Sequence, residues 1–244
     1  NRFEATDQAT AEGIRMLNAG AHALDIGGQS TRPNAIEVGA HEEWTRIKDV
    51  LKSILNEIPQ AIISVDTFHG EVAERALDAG AFMINDVYAG QKDGRLIQAI
   101  SSHNAPLVIM HMQGTPANMQ ENPSYIHASL EIQEWLALRS KVLREQGVKQ
   151  LIIDPGFGFG KTIAHNFQIL RDLRELKKLG LPVLAGLSRK SMIWKALESS
   201  PEDAMNGTTV LNAWALDRGA HILRVHDVRE ALEAIKLFSL LESA

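Results

Sequence analysis

Short apolar runs along this chain end in polar residues whose types can do chemistry. Ile62-Ile63-Ser64-Val65 ends at Asp66, Met83-Ile84 at Asn85-Asp86, Leu107-Val108-Ile109-Met110 at His111, and Leu151-Ile152-Ile153 at Asp154. Val183-Leu184-Ala185 leads through Gly186 to Ser188-Arg189-Lys190-Ser191, and Ile222-Leu223 leads to Arg224-Val225-His226-Asp227. A carboxylate such as Asp154 at a strand end can accept two hydrogen bonds from an amino-pyrimidinone edge. Arg224 and His226 are two apart, so on a strand they project to one face, and two such groups together suit a phosphate. Lys190 and Ser191 follow a strand and open a helix, whose N-terminus favours an anion.

Each motif also has a plainer reading. Asp154 through Thr162 is rich in glycine, but Pro155 stands where a P-loop needs glycine, and Gly156, Gly158 and Gly160 are wrongly spaced for a dinucleotide fingerprint. What remains is a carboxylate and a flexible, aromatic-bearing loop that enters a helix; the plainer reading is a turn with core phenylalanines. Arg224 can form a salt bridge to a nearby acid, with His226 a capping residue, and residues 188–191 can be a solvated charge run. The polar segment Asp25–Pro33 is either a mobile loop or an ordinary turn after a strand. Asp66 and Asn85 alone read as helix caps; with Asp154 they can line one pocket. His111 reads as a packed histidine, because the nine histidines lack zinc-site spacing. Met110 and Met112 would point the same way on a strand, either as the floor of a flat apolar slot or as core.

Composition narrows the classes. The 244 residues suit one α/β barrel or two smaller domains, and an apolar share of 45% supports a sizeable core. A net charge of -5 argues against nucleic acid but not against an anionic small substrate. No apolar stretch has the length of a membrane span, and no signal peptide is visible, so no membrane partner is expected. Cysteine is absent, which excludes disulfides and cysteine metal sites and fits a cytoplasmic protein.

The elements that must position these residues alternate. Apolar runs bounded by Gly and Pro are separated by helical stretches, which indicates βα units around a parallel sheet. In such sheets active sites gather at the C-terminal strand ends, where the polar residues above stand. Helices are expected to start at Thr6-Asp7, at Ser200-Pro201-Glu202-Asp203, and at Asp227, which with Glu230 resembles a capping box ahead of a stripe from Ala231 to Leu241. About seven units are legible, one short of a closed barrel. The favoured expectation is a (β/α)8 TIM barrel whose first strand and first loop are absent from this chain, over the alternative of an open sheet, because a barrel lacking a strand exposes two edges.

Taken together the segments resemble the dihydropteroate synthase family. The matching pieces are Asp25–Pro33, Ser64–Thr67, Ile84–Val87, Met110–Gly114, Asp154–Thr162, Leu187–Ser191 and Arg224–Val228, in family order over nearly the whole chain. The resemblance implies one pterin-binding TIM-barrel domain over 1–244, usually a homodimer. It implies an enzyme that joins 7,8-dihydropterin-6-ylmethyl diphosphate to 4-aminobenzoate, releases diphosphate in folate synthesis, and is a target of sulfonamides. Carried over by position, Asp66, Asn85, Asp154, Phe159 and Met110 or Met112 match pterin-binding residues. Lys190 bridges the pterin and aminobenzoate sides with Ser191 beside it. Arg224 and His226 match diphosphate ligands, Arg224 also reaching the pterin. Thr31, Arg32 and Pro33 belong to the aminobenzoate side, Thr31 also to the diphosphate. The residues expected to carry catalysis are Lys190, Arg224, His226 and Asp66. Magnesium is the implied cofactor, and its family asparagine ligand would lie upstream of Asn1. Two departures are Gln29, where the family usually has Glu, and Asn34, where it usually has Gly. The alternatives are a non-catalytic pterin-binding homologue and a methyltetrahydrofolate-dependent methyltransferase.

Overall fold

The computed structural model describes residues 2–30 and 36–244. Among them, α-helices and seven short parallel strands alternate in chain order. The chain divides into two compact units: the first holds Asn1–Ile109 and Ser140–Leu151, the second Met110–Arg139 and Ile152–Ala244.

In the first unit, helix α1 (Arg2–Asn18) precedes β1 (Ala23–Gly27), and α2 (Ala40–Glu57) precedes β2 (Ile62–Asp66). Helix α3 (Gly70–Asp78), β3 (Met83–Asp86), α4 (Gly94–His103) and β4 (Leu107–Met110) follow. The strands pair in parallel, with Gly27 opposite Asp66 and Asp66 opposite Asn85. Ile63, Val65, Ile84, Leu107 and Ile109 are all fully buried, and Ser64 in the middle of β2 is buried with them. Burial on both sides is why these strands read as near-continuous apolar runs. Asp93 caps α4 by accepting the Arg95 N–H at 3.0 Å and also takes the Gly70 N–H at 2.8 Å, fixing the starts of two helices with one carboxylate.

Leu107 N–H donates to Gln150 O at 2.9 Å in the first unit, and His111 N–H donates to Asp154 O at 3.1 Å in the second. Strands β1 to β4 follow one another in the sheet in chain order, and β5 spans Leu151–Asp154. In the second unit an isolated parallel bridge joins Ile153 to Val183, and β6 (Leu184–Ala185) pairs with β7 (Ile222–Leu223). Helix α5 (Ala128–Glu145) precedes β5; α6 (Ile163–Arg171) and a 3-10 helix (Leu173–Leu179) precede β6. The four-residue α7 (Ser191–Trp194) and α8 (Met205–Asp217) precede β7, and α9 (Val228–Glu242) ends the chain. Helix α6 opens on a capping box, Thr162 Oγ1 taking the His165 N–H at 3.1 Å and His165 Nδ1 the Thr162 N–H at 3.3 Å.

Two of the three expected helix starts differ, and the third lacks its expected cap. Helix α1 begins at Arg2, so Thr6-Asp7 lies inside it. Residues 201–203 form a turn, with Ser200 Oγ accepting the Asp203 N–H at 3.3 Å, and α8 begins only at Met205. Asp227 precedes α9 as expected but makes no side-chain cap. Its two oxygens instead accept Arg189 Nε at 3.0 Å and Nη2 at 2.8 Å, and a two-pronged ion pair outcompetes a single backbone N–H. The stripe on α9 also stops short: Ala231 is buried, but Leu241 is 71% exposed.

Candidate active site

In the first unit the ends of β2 and β3 and the middle of β1 carry one polar cluster. Asp66 closes β2 beside Asn85 of β3, and Asn85 Nδ2 donates to Asp25 Oδ2 of β1 at 3.0 Å. Gly27, opposite Asp66, has no side chain, and a Cβ there would meet Asp66 Cβ at 3.3 Å. Behind this cluster Glu43 of α2 is fully buried. Burial pushes its carboxyl up, against the hydrogen bond it accepts at 2.7 Å from Thr67 Oγ1. Thr67 follows Asp66, so α2 anchors the β2 exit. A cleft at the other ends of β2, β3 and β4, lined by Ile62, Phe82, Pro106 and His103, carries none of the expected site residues.

In the second unit the site is built around Gly186, just past β6. A Cβ on Gly186 would lie 3.9 Å from Asp154 Oδ2, 4.0 Å from Lys190 Nζ and 4.0 Å from Arg224 Cβ. Glycine there lets three expected site residues converge. Asp154 is buried at the end of β5, its Oδ1 accepting the Gly156 N–H at 2.7 Å. Burial pushes its carboxyl up; Lys190, the Gly156 N–H, Lys161 and Arg224 oppose the shift. Lys190 donates to Phe157 O, and its ammonium lies 4.6 Å from the centre of the Phe159 ring. Burial pushes Lys190 down to about 8, against the pull of Asp154. The helix after Lys190 has only four residues, so this ammonium is positioned by the glycine-rich loop and not by a helix terminus.

Arg224 continues the pairing of β7, its N–H donating to Ala185 O at 3.0 Å. Arg224 and His226 are both exposed at the strand exit. Ser188 Oγ accepts the His226 N–H at 3.2 Å and lies 2.9 Å from His226 Nδ1, which fixes the imidazole next to the β6 exit. The solvated-run reading of 188–191 fails at Arg189, which is tied to Asp227.

Met110 is buried at the end of β4, its Cγ 3.1 Å from where a Cβ of Gly156 would stand. Met112 lies beyond the strand and is half-buried. Ser191 is exposed at the start of α7. Thr31, Arg32 and Pro33 lie outside the described residues. His111 is a packed histidine: its ring stands edge-on to Trp135 at 5.1 Å, and burial pushes it down to about 3.

Sequence reasoning missed Lys161. Its ammonium is buried against His111 Nδ1 at 3.1 Å, His111 O at 3.1 Å and Phe159 O at 2.8 Å. Burial lowers its affinity for the proton well below that of an ordinary lysine, against the pull of Asp154. The available signal was a lysine closing a glycine-rich run directly before a helix cap. Asp25 and Glu43 were also missed, one treated only as part of a loop, the other hidden in an amphipathic helix.

Residues 1–226 match the family described as pterin binding enzyme. The dihydropteroate synthase of Escherichia coli (strain K12) is 40% identical over 224 residues, 91% of this chain and 79% of that protein. The chain belongs to the dihydropteroate synthase family of pterin-binding enzymes. The crystal structure of the Yersinia pestis dihydropteroate synthase with a sulfonamide drug complex superposes with a TM-score of 0.94 at 40% identity, covering 98% of this chain and 86% of that one. The Xanthomonas albilineans dihydropteroate synthase with 4-aminobenzoic acid gives 0.92 at 39% identity, over 98% and 86%. The α/β fold expected from the repeated strand-to-helix alternation is thus the fold of solved dihydropteroate synthases.

Proposed function

We infer that the chain is a dihydropteroate synthase, a transferase that joins 7,8-dihydropterin-6-ylmethyl diphosphate to 4-aminobenzoate and releases diphosphate. The observation that carries this reading is the convergence of Asp154, Lys190 and Arg224 about Gly186 in a chain of this family. A buried carboxylate beside two cations suits a ligand with a donor-rich heterocycle at one end and an anion at the other.

Asp154 Oδ2 accepts the N–H groups of the pterin edge while Oδ1 stays on Gly156. Phe159 forms the aromatic wall, Met110 packs beneath the Gly156 turn, and Asp66 and Asn85 supply further acceptors and donors to the pterin. Arg224 and His226 receive the diphosphate, with Thr31. Lys190 serves the pterin and aminobenzoate sides, the latter with Ser191, Thr31, Arg32 and Pro33. In the reaction the C–O bond to diphosphate breaks and its electron pair leaves with the diphosphate. The aniline nitrogen forms the new C–N bond and then loses one proton. The pterin ring spreads the positive charge that grows on the methylene carbon, so the protein must neutralise the leaving group and hold the ring. Lys190, Arg224, His226 and Asp66 carry that work.

Magnesium is the cofactor the family implies. Among the described residues no three His, Asp or Glu side chains gather to hold a metal, so these residues do not form a magnesium cage. Magnesium would arrive on the diphosphate oxygens, which are ligands it favours.

We further propose one pterin-binding domain over 1–244, acting as a homodimer in the cytoplasm. Apolar side chains exposed on α8 and α9, among them Trp214 at 48% and Leu237 at 69%, support self-association. The lack of cysteine suits a reducing compartment. No helix among the described residues is long and apolar enough to cross a membrane.

The test is mass spectrometry of the reaction mixture. Incubation with both substrates and magnesium should yield 7,8-dihydropteroate and one diphosphate per product. Pterin binding without product would favour the non-catalytic homologue.

A further inference from the structure

Each carbonyl from Gly156 to Gly160 in the glycine-rich loop of the second unit accepts a hydrogen bond, two from within the segment and three from other parts of the chain. Gly156 O accepts the Phe159 N–H at 3.1 Å, and Phe157 O accepts Lys190 Nζ. Gly158 O accepts Gln120 Nε2 at 2.6 Å, Phe159 O accepts Lys161 Nζ at 2.8 Å, and Gly160 O accepts the Tyr125 hydroxyl at 2.9 Å. Three of these five residues are glycines at φ of +71°, +82° and +62°, which have no side chain to hold their own conformation. Two of them press directly on the exit of β4: a Cβ would fall 2.0 Å from His111 O at Gly156 and 2.4 Å from Gln113 O at Gly160. The shape of the loop is therefore imposed by its partners.

Two of those partners have no other assigned duty. Gln120 and Tyr125 belong to the segment between β4 and α5. That segment is itself closed by Gln113, whose Nε2 donates to Ser124 O and whose Oε1 accepts the Ser124 N–H, both at 2.9 Å. Gln120 is exposed and Tyr125 half-buried, so neither fills the core. They bind the carbonyls immediately before and after Phe159, the residue whose ring lies by Lys190.

We propose that Gln120 and Tyr125 are positioning residues for pterin recognition. They hold the loop so that Phe159 and the Asp154–Gly156 turn keep their places before any ligand arrives. This rests on the pterin reading above. Without either donor a carbonyl turns to water, the loop samples other shapes, and part of the binding energy is spent on ordering it again.

The test compares Tyr125→Phe, Gln120→Ala and Gln120→Glu with the unaltered protein. Four quantities are read: the Kd of the dihydropterin alcohol, amide hydrogen exchange over 156–161 without ligand, the thermal midpoint, and kcat at saturating pterin. Tyr125→Phe and Gln120→Ala should each weaken the alcohol about two- to tenfold, the worth of one neutral hydrogen bond. Exchange should quicken, the midpoint should stay within about 4 °C, the shift that one hydrogen bond is worth in a chain of this size, and kcat at saturating pterin should hold. Gln120→Glu should be worse than Gln120→Ala, because a carboxylate not only lacks a donor but sets a negative charge against Gly158 O, which alanine does not. Faster exchange with unchanged Kd would overturn the role, as would a loss of affinity that merely follows a fall in midpoint. Asp154→Asn is run alongside. If it too left affinity unchanged, the pterin reading would fall; if it alone weakened binding, only the positioning role would.

Discussion

Replacing Asp154 by Asn should separate binding from stability. Its Oδ1 takes the Gly156 N–H at 2.7 Å, so the carbonyl of an amide can keep that bond. The other position would then present N–H groups to the N–H groups of the pterin. The ligand loses a charge-assisted bond, about 1.5–3 kcal/mol, and a buried donor is left without its acceptor, about 1–3 kcal/mol. These overlap, and roughly 2–4 kcal/mol in all corresponds to about 30- to 1,000-fold in Kd. Stability should move the other way. Burial raises the Asp154 carboxyl in the folded state, so its contribution to stability is complete below the unfolded pKa and is lost as pH rises through the folded value. At neutral pH the amide escapes that penalty. Lys190, lowered to about 8 by burial, loses the pull of Asp154 and holds its proton less tightly still. Titration calorimetry with the dihydropterin alcohol and a thermal melt at pH 7.5 measure both. A Kd within about threefold of the original, or a midpoint that collapses with the affinity, would refute the reasoning.

Three further outcomes follow from the same geometry. Arg224→Ala should slow the reaction and weaken the dihydropterin diphosphate by about 1.5–3 kcal/mol while sparing the alcohol, because the guanidinium serves the leaving group; equal loss for both ligands in a calorimetric pair would make it a pterin or packing residue. Lys190 in the empty protein should lose its proton as pH rises through about 8, so affinity for an anionic ligand should fall above that pH with the slope of a single proton, and a flat profile from pH 7 to 9 would contradict the assignment. Gly156→Ala should cost at least about 2 kcal/mol in urea unfolding, since φ is +71° and the new methyl would stand 2.0 Å from His111 O; a loss under about 0.5 kcal/mol would mean the β4 exit yields freely.

The sequence by itself determined the alternation of strands and helices, because strands buried on both faces must be mostly apolar and their ends must not be. It therefore marked Asp66, Asn85, Asp154 and Arg224 at the C-terminal ends or exits of their strands. Family resemblance is carried by the same residues, since the loops that do chemistry are the least free to vary in type. Tertiary structure decided what each side chain binds. Asp227 looked like a helix cap and is held by Arg189, because that guanidinium comes from an element 38 residues away. Lys190 looked like a helix-terminal cation and is turned onto Phe157 O and the Phe159 ring, because α7 is too short to offer a terminus. Gln120 and Tyr125 gave no local signal, because backbone carbonyls are the same in every sequence. Which side chain reaches which carbonyl depends on how two distant loops fold against each other.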